Sequence, residues 1–354
     1  MNNLSTILKY SPFQFNKIKK EIFFKNFQKK LTNYHFDKCN KYSKILNLLK
    51  YKKSIKYKTF ELPFLPVGLF KSHNLVSSPK NDIVRTMTSS GTSGNKTSRI
   101  YLDKENSAMQ IKVLTKITNN YIGHKRLPLL IIDSKNTAKN NKIFSARSAA
   151  IHGFSIFGSN ITYALNVDMS LNIKEIDKFY EKYKNTNCLI FGFTSILWKY
   201  FYQSLLKTKK KYNFKNGIIL HGGGWKKMHD EKVSNNDFKK SLKKNIGVKD
   251  VFNYYGMVEQ TGSIFIECKE GFLHCSIFSD IIIRDKKFMR CKFNEYGLIQ
   301  LLSLLPTSYP GHNILSDDVG KIIGEDDCNC GRLGKYFIVR GRVKDSEIRG
   351  CSDV

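Results

Sequence analysis

No uninterrupted apolar run in this 354-residue chain approaches the roughly 20 residues that a membrane-spanning helix requires. The opening residues, MNNLSTILKYSPFQF, lack the basic-then-apolar layout of a signal peptide, so a cytoplasmic protein with no membrane span is expected. Cysteines are too few and too irregularly placed for a disulfide framework. Eight in a chain of this length read as reduced thiols, some of them candidate metal ligands. There is no internal repeat, no low-complexity linker and no Walker A loop. At about 150 residues per domain, the length allows two domains, or one large domain with subdomains, around a substantial core.

Acidic residues are in deficit: 60 Lys and Arg face 29 Asp and Glu, a net charge of +31. Such a balance attracts nucleic acid, anionic lipid or acidic partners, and on its own it would support a non-enzymatic nucleic-acid-binding protein. However, the lysines are scattered through helical and loop segments, with no basic arm and no recognised nucleic-acid motif. Specific nucleic-acid binding is therefore not expected. A cationic surface would still steer small anionic ligands toward the protein.

Residues 1–59 are rich in Lys, Phe and Tyr, with helical apolar spacing at Phe36–Leu49, and are expected to form a helical N-terminal cap. From about residue 80, short apolar runs alternate with amphipathic stretches. Strands are expected at Leu127–Asp133, Cys188–Phe193, Gly217–His221 and Val251–Tyr255, and helices at Asn172–Tyr183, Ser195–Lys207 and Asp230–Lys244. That alternation predicts an α/β core over residues 60–262. After Gly262, short strands and turns at Ser263–Glu267, Ile281–Arg284 and Leu298–Leu304 predict a smaller β subdomain over residues 263–354.

What is abundant is hydroxyl and glycine at one place: Thr88-Ser-Ser-Gly-Thr-Ser-Gly-Asn-Lys-Thr97. Gly91 and Gly94 permit positive φ and close backbone approach, Thr88, Ser89, Ser90, Thr92 and Ser93 offer donors, and Lys96 adds charge, which together suit a polyphosphate. Lys96 follows Asn95, where a Walker A loop requires a Gly-Lys pair, so an ordinary P-loop is disfavoured. Taken alone, the segment reads equally well as a polar surface loop.

Four further motifs follow it in order: His221-Gly-Gly-Gly224, Asn253-Tyr-Tyr-Gly-Met-Val-Glu259, Leu315-Ser-Asp-Asp-Val-Gly320 and Gly341-Arg-Val-Lys-Asp345. The ordered set resembles the adenylate-forming superfamily in its phenylacetate-CoA ligase branch, and most closely the LuxE-type acyl-protein synthetases, over roughly residues 60–354. The resemblance implies that a carboxylate attacks the α-phosphorus of ATP, expels pyrophosphate and leaves an acyl-AMP anhydride. It implies that the hydroxyl-rich loop and Lys96 bind the β- and γ-phosphates and that Glu259 coordinates Mg²⁺. It further implies that Tyr255, followed by Gly256, lies on adenine beside Gly222, Gly223 and Gly224, that Asp318 accepts from both ribose hydroxyls, and that Arg342 contacts the ribose or phosphate side. Small and aromatic residues around His152, Gly153 and Phe193 correspond to the acyl cavity, although a lone His in an apolar stretch is more often a satisfied core residue.

The chain departs from the family pattern in three places. Val258 replaces the usual Ser or Thr before the acidic residue, and Ser93 and Asn95 stand where Thr and Lys are commoner. Sequence after Gly350 is also too short for the lid domain of typical superfamily members, so that lid is expected to be absent and CoA use is put in doubt.

Two cysteine groupings remain. Cys328-Asn-Cys330 places two thiols on one turn, and Cys268 with His274 lies upstream. Three thiolates and an imidazole suit tetrahedral Zn²⁺, with Cys275 as a competing ligand and unrelated buried thiols as the plain alternative. The phenylacetate-CoA ligase branch carries a similar zinc pairing, which implies a structural site. Cys351 is isolated in Arg349-Gly-Cys-Ser-Asp353 with Arg340, Arg342, Lys344 and Arg349 nearby to favour its thiolate. The resemblance implies that Cys351 accepts the acyl group. It also implies a fatty acid as substrate, a fatty-acid (acyl-CoA) reductase subunit that receives the acyl group for aldehyde formation, and an acyltransferase as a further partner. An acyl- or aryl-CoA ligase on the same fold is the alternative.

Overall fold

The computed structural model describes residues 4–89, 97–138, 145–225 and 233–343. The loop residues Ser90, Gly91, Thr92, Ser93, Gly94 and Lys96, and Cys351, the expected acceptor, lie outside them. The chain divides into two compact units, the first formed by residues 4–89, 97–118 and 256–343 and the second by 119–138, 145–225 and 233–255.

The second unit is a parallel sheet. Its strand order is Gly158–Leu165, Leu127–Ser134, Cys188–Phe193, Gly217–Gly222 and Asp250–Tyr255, in register through pairs such as Leu130–Ile190, Leu189–Ile218 and Leu220–Phe252. Every residue of Cys188–Phe193 is buried, as a central strand covered on both faces requires. Helices fill the crossovers. Ile173–Tyr183 turns Ile176 and Phe179 inward and starts at Asn172, whose side chain accepts from the Glu175 N–H at 3.3 Å. Asn235–Ile246 is capped in the same way by Ser234 and stops at Gly247, where φ is +67° and a Cβ would lie 2.3 Å from Asn213 Oδ1. In sequence order the strands run 2-1-3-4-5, the doubly wound arrangement whose switch point falls between Leu127–Ser134 and Cys188–Phe193.

The first unit is built on antiparallel strands in the order Leu273–His274, Lys335–Arg342, Asn313–Glu325, Gly297–Ser303 and Ser279–Arg284, with Leu65–Pro66 running parallel to Asn313–Glu325. A separate two-stranded hairpin, Ile83–Thr88 with Arg99–Asp103, brackets the hydroxyl-rich loop.

The N-terminal helix Lys17–Lys38 belongs to this unit and is not a cap of its own. It buries Lys20, Phe24, Gln28, Leu31, Thr32 and His35. Gln28 Nε2 donates to the Ser303 and His312 carbonyls at 2.9 and 3.3 Å, and Lys20 Nζ lies 3.5 Å from Asp280 Oδ1. The division therefore departs from the expected boundaries at 59/60 and 262/263: residues 4–89 and 97–118 pack with the β-rich segment. Among the described residues, no helix is long and apolar enough to cross a membrane.

Candidate functional site

In the first unit the hairpin closes at its open end through Ser89 and Ser98. The Ser89 N–H donates to the Ser98 carbonyl at 3.2 Å, and the Ser98 N–H donates to Ser89 Oγ at 2.9 Å. Thr88 pairs with Arg99 one step earlier, so the base of the loop is fixed by the sheet. Beyond Ser98 stands Glu259.

Glu259 sits on a single 3-10 turn, Val258–Gln260, and is almost wholly buried. Two neighbours pin that turn. Gln260 Nε2 donates to the Leu301 and Gly311 carbonyls at 3.0 and 2.9 Å, and the Tyr309 hydroxyl donates to the Glu259 carbonyl at 2.9 Å. Gly262 follows with φ +86°, a left-handed conformation packed so closely on Gln110 that a Cβ would lie 2.8 Å from its backbone. Burial pushes the Glu259 carboxyl above its ordinary value, while the nearby Ser98 hydroxyl and the cations of Arg342 and Lys71 pull it back. A buried carboxylate beside the Ser98 hydroxyl, on a turn with little freedom, is equipped to hold a hard cation.

Asp318 and Arg342 lie on adjacent antiparallel strands and are register partners, with Arg342 Nε 3.3 Å from Asp318 Oδ1. Asp317 and Asp318 thus lie within the strand Asn313–Glu325. A register shift between Val319 and Gly320 breaks the ladder just beyond Asp318.

In the second unit, Gly222 ends its strand against the Tyr254 ring, so closely that a Cβ would lie 2.4 Å from Tyr254 Cε1. Gly223 turns with φ +73° over Phe193, and around Gly224 a Cβ would meet nothing within 4 Å. Thr194 braces this turn: its Oγ1 lies 2.9 Å from His221 Nδ1 and donates to the Gly222 carbonyl at 3.1 Å. Burial lowers the His221 imidazole to about 3, so it is neutral at ordinary pH. Tyr255 ends its own strand half-buried, and Gly256 begins the next segment.

The residues expected to line an acyl cavity divide. His152 and Gly153 lie on the helix Ala146–Ser155, which starts at Ser145 and buries Phe154 against Phe191 and Tyr254, with ring centroids 4.5 and 5.0 Å apart. His152 is half-buried, whereas Phe193 is fully enclosed in the core at the switch point. Beside them Arg147 pairs with buried Asp133 through Nε and Nη2, each at 2.7 Å, closing the end of the first strand.

The cysteine cluster forms within the first unit. The ligand atoms of Cys268, His274, Cys328 and Cys330 all lie within 4.8 Å of one another. Cys268 Sγ is 4.0 Å from Cys328 Sγ, and Cys330 Sγ is 3.3 Å from His274 Nε2. Two thiolates, each about 2.3 Å from a tetrahedral zinc, would be about 3.8 Å apart, so the spacing suits that ion.

Both thiol-bearing turns close on glycines with positive φ, Gly271 at 85° and Gly331 at 80°. Burial raises the Cys268 thiol and pushes Cys328 up to about 12. Burial also acts on Cys330, but the Arg332 N–H, the two neighbouring thiols and the Arg332 side chain outweigh it and bring that thiol below its ordinary value. His274 is lowered to about 4 by burial, then by Arg332 and Lys20. Its buried Nδ1 has no hydrogen-bond partner among the described residues. Cys275, the competing ligand, is buried outside the cluster.

Sequence reasoning did not single out Ser98, Thr194 or the Asp133–Arg147 pair. Ser98 had a local signal, a hydroxyl one residue beyond the glycine loop. The partners of the others are contributed by distant segments.

Comparison with known proteins places these motifs in context. The family model described as "Acyl-protein synthetase, LuxE" matches residues 2–354. A Vibrio harveyi protein named long-chain-fatty-acid–luciferin-component ligase is 24% identical over 315 residues, covering 82% of this chain and 76% of its own. An open conformation of 2-hydroxyisobutyryl-CoA ligase, solved with 2-HIB-AMP and CoA, superposes with a TM-score of 0.75 at 14% identity, covering 95% of this chain and 77% of that one. The same ligase in its thioesterification state gives 0.72 at 14% identity, covering 95% and 70%. The fold is that of the adenylate-forming ligases.

Proposed function

The chain belongs to the LuxE acyl-protein synthetase family, and from that membership we propose that it activates a long-chain fatty acid with ATP and passes the acyl group to its own Cys351. In the first half-reaction a carboxylate oxygen attacks the α-phosphorus, the bond to the β-phosphate bridging oxygen breaks, and pyrophosphate leaves. In the second, the Cys351 thiolate attacks the acyl carbonyl and AMP departs with the bonding pair, leaving a thioester. A fatty-acid reductase subunit would then take the acyl group for aldehyde formation.

The observation that carries this reading is the convergence within one unit of the loop base at Ser89 and Ser98, the buried Glu259 and the Asp318–Arg342 pair. On this reading the loop holds the β- and γ-phosphates, Asp318 accepts from the ribose hydroxyls, and Arg342 offsets charge on the phosphate side. Glu259 would hold Mg²⁺, which supplies neutralisation of the polyphosphate when bound. The four-residue Cys/His cluster fits structural zinc: all its donors are N and S and it has no carboxylate, so its role would be to staple the two turns.

Intact-protein mass tests the proposal, after incubation with ATP, Mg²⁺ and a panel of fatty acids, with Cys351→Ser in parallel. A hydroxylamine-labile acyl adduct on the wild type alone is expected. Acyl-CoA formation by Cys351→Ser, with no adduct on either protein, would overturn self-acylation in favour of CoA as acceptor.

A further inference from the structure

Between the strands Ser279–Arg284 and Gly297–Ser303 the chain makes an excursion over residues 285–296, reading DKKFMRCKFNEY. It exposes Phe288 at 50%, Met289 at 65% and Phe293 at 40%. A single exposed apolar side chain needs no explanation, but three within one short excursion, two of them consecutive, call for one.

Their exposure is built in. Asp285 Oδ1 accepts from the Lys287 and Met289 N–H groups, each at 2.8 Å, and the Asp285 N–H donates to the Met289 carbonyl at 2.9 Å. Buried Arg284 reaches under the turn and donates through Nη1 to the Phe288 carbonyl at 2.7 Å. Phe288 itself has φ 60°, in the left-handed region where glycine or asparagine is at ease and an aromatic residue is an outlier. The tip is thus a fixed turn on which the Phe288 ring stays half exposed, its centroid 6.1 Å from that of Phe64.

The charge around it has one sign. Lys286, Lys287, Arg290 and Lys292 are all exposed and interleave with the apolar residues. The two acids of the excursion are engaged by backbone: Asp285 as above, and Glu295 by the Lys292 N–H at 2.8 Å. An apolar wedge ringed by ammonium and guanidinium groups matches a bilayer with anionic headgroups, in which rings and thioether enter the interface while the cations meet phosphates. A nucleic acid would reward the cations but not exposed Met289.

We propose that the 285–296 hairpin docks this protein on anionic membranes, with Phe288 and Met289 inserting at headgroup depth and Lys286, Lys287, Arg290 and Lys292 contacting lipid phosphates. The surface does not depend on the reaction assigned to the site.

Co-sedimentation of the full chain with vesicles tests it, using phosphatidylcholine alone and phosphatidylcholine mixed with phosphatidylglycerol, at low and high salt. Binding to the mixed vesicles only, weakened by salt, is expected. Phe288→Asn with Met289→Ser, and separately Lys286→Glu with Lys287→Glu, should each lower partitioning by about tenfold with melting unchanged. Asparagine tolerates the left-handed turn, so the first variant should keep the fold. A charge-matched control on the second unit, Lys207→Glu with Lys211→Glu, should change it far less. No binding by the wild type, or equal loss in the control and tip variants, would overturn the proposal. So would tip-dependent binding to a DNA duplex by a wild type that ignores vesicles.

Discussion

Arg342 Nε lies 3.3 Å from Asp318 Oδ1, between residues that the antiparallel register sets opposite each other on two strands of one sheet. The pair is partly open, with side-chain exposures of 38% and 15%, so it contributes little to holding the fold and is available to a ligand.

Asp318→Ala should therefore raise KM for ATP by about 10- to 100-fold, the worth of hydrogen bonds to a charged group, while leaving the melting temperature nearly unchanged. Steady-state kinetics and a melt on the same preparation check both halves. A large drop in melting temperature with KM unaltered would make the pair structural.

Glu259→Gln separates function from stability in the opposite direction. Because burial raises this carboxyl in the fold, the native state holds its proton to higher pH than the unfolded chain does. Stability therefore falls as pH rises through the folded value. The glutamine variant should lose about 100-fold or more in activity, lose the acid limb of the pH–rate profile, and melt no lower than the wild type. Activity within a few-fold of wild type would remove Glu259 from the reaction.

His35 and His312 stack at 5.0 Å inside the first unit, both fully buried. Burial lowers His35 to about 3, and burial followed by the neighbouring His35 takes His312 well below its ordinary value. Their contribution is complete above the unfolded value of about 6.5 and is lost as pH falls toward the folded values, at up to about 1.4 kcal/mol per pH unit for each histidine. Urea unfolding at pH 7.5 and 5.5 should show the lower stability at pH 5.5. Equal midpoints and slopes would contradict this placement.

Metal content should be one zinc per chain. Cys330→Ser should lose the metal and lower the melting temperature, whereas Cys275→Ser, outside the cluster, should keep the metal. Elemental analysis of the purified proteins decides it. Zinc absent from the wild type, or retained in full by Cys330→Ser, would sink the site.

The sequence made the central strands plain and left other elements hidden, for physical reasons. Cys188–Phe193 matches its expected bounds because a strand buried on both faces is a continuous apolar run. Gly158–Leu165 was not anticipated: Ser159, Asn160 and Ile161 are exposed, and Gly158, Ser159 and Asn160 resemble a turn. The helix Lys17–Lys38 buries a stripe at helical spacing, but Lys20, Gln28, Thr32 and His35 fill it, so hydrophobic periodicity barely registers. That polar stripe is also why the helix belongs to the β-rich unit, since its partners are carbonyls and carboxylates some 250 residues away or more. At the site, motif residues such as Glu259 and Asp318 were readable one by one. The Asp318–Arg342 register and the Ser98 contact depend on strand pairing that spacing does not encode.

The most direct test of carboxylate activation is fatty-acid-dependent exchange of labelled pyrophosphate into ATP, measured for the wild type and Glu259→Gln with Mg²⁺ present. The account expects exchange that requires the fatty acid, survives Cys351→Ser and falls by about 100-fold in Glu259→Gln. No exchange with any fatty acid, or exchange that Glu259→Gln leaves intact, would contradict it.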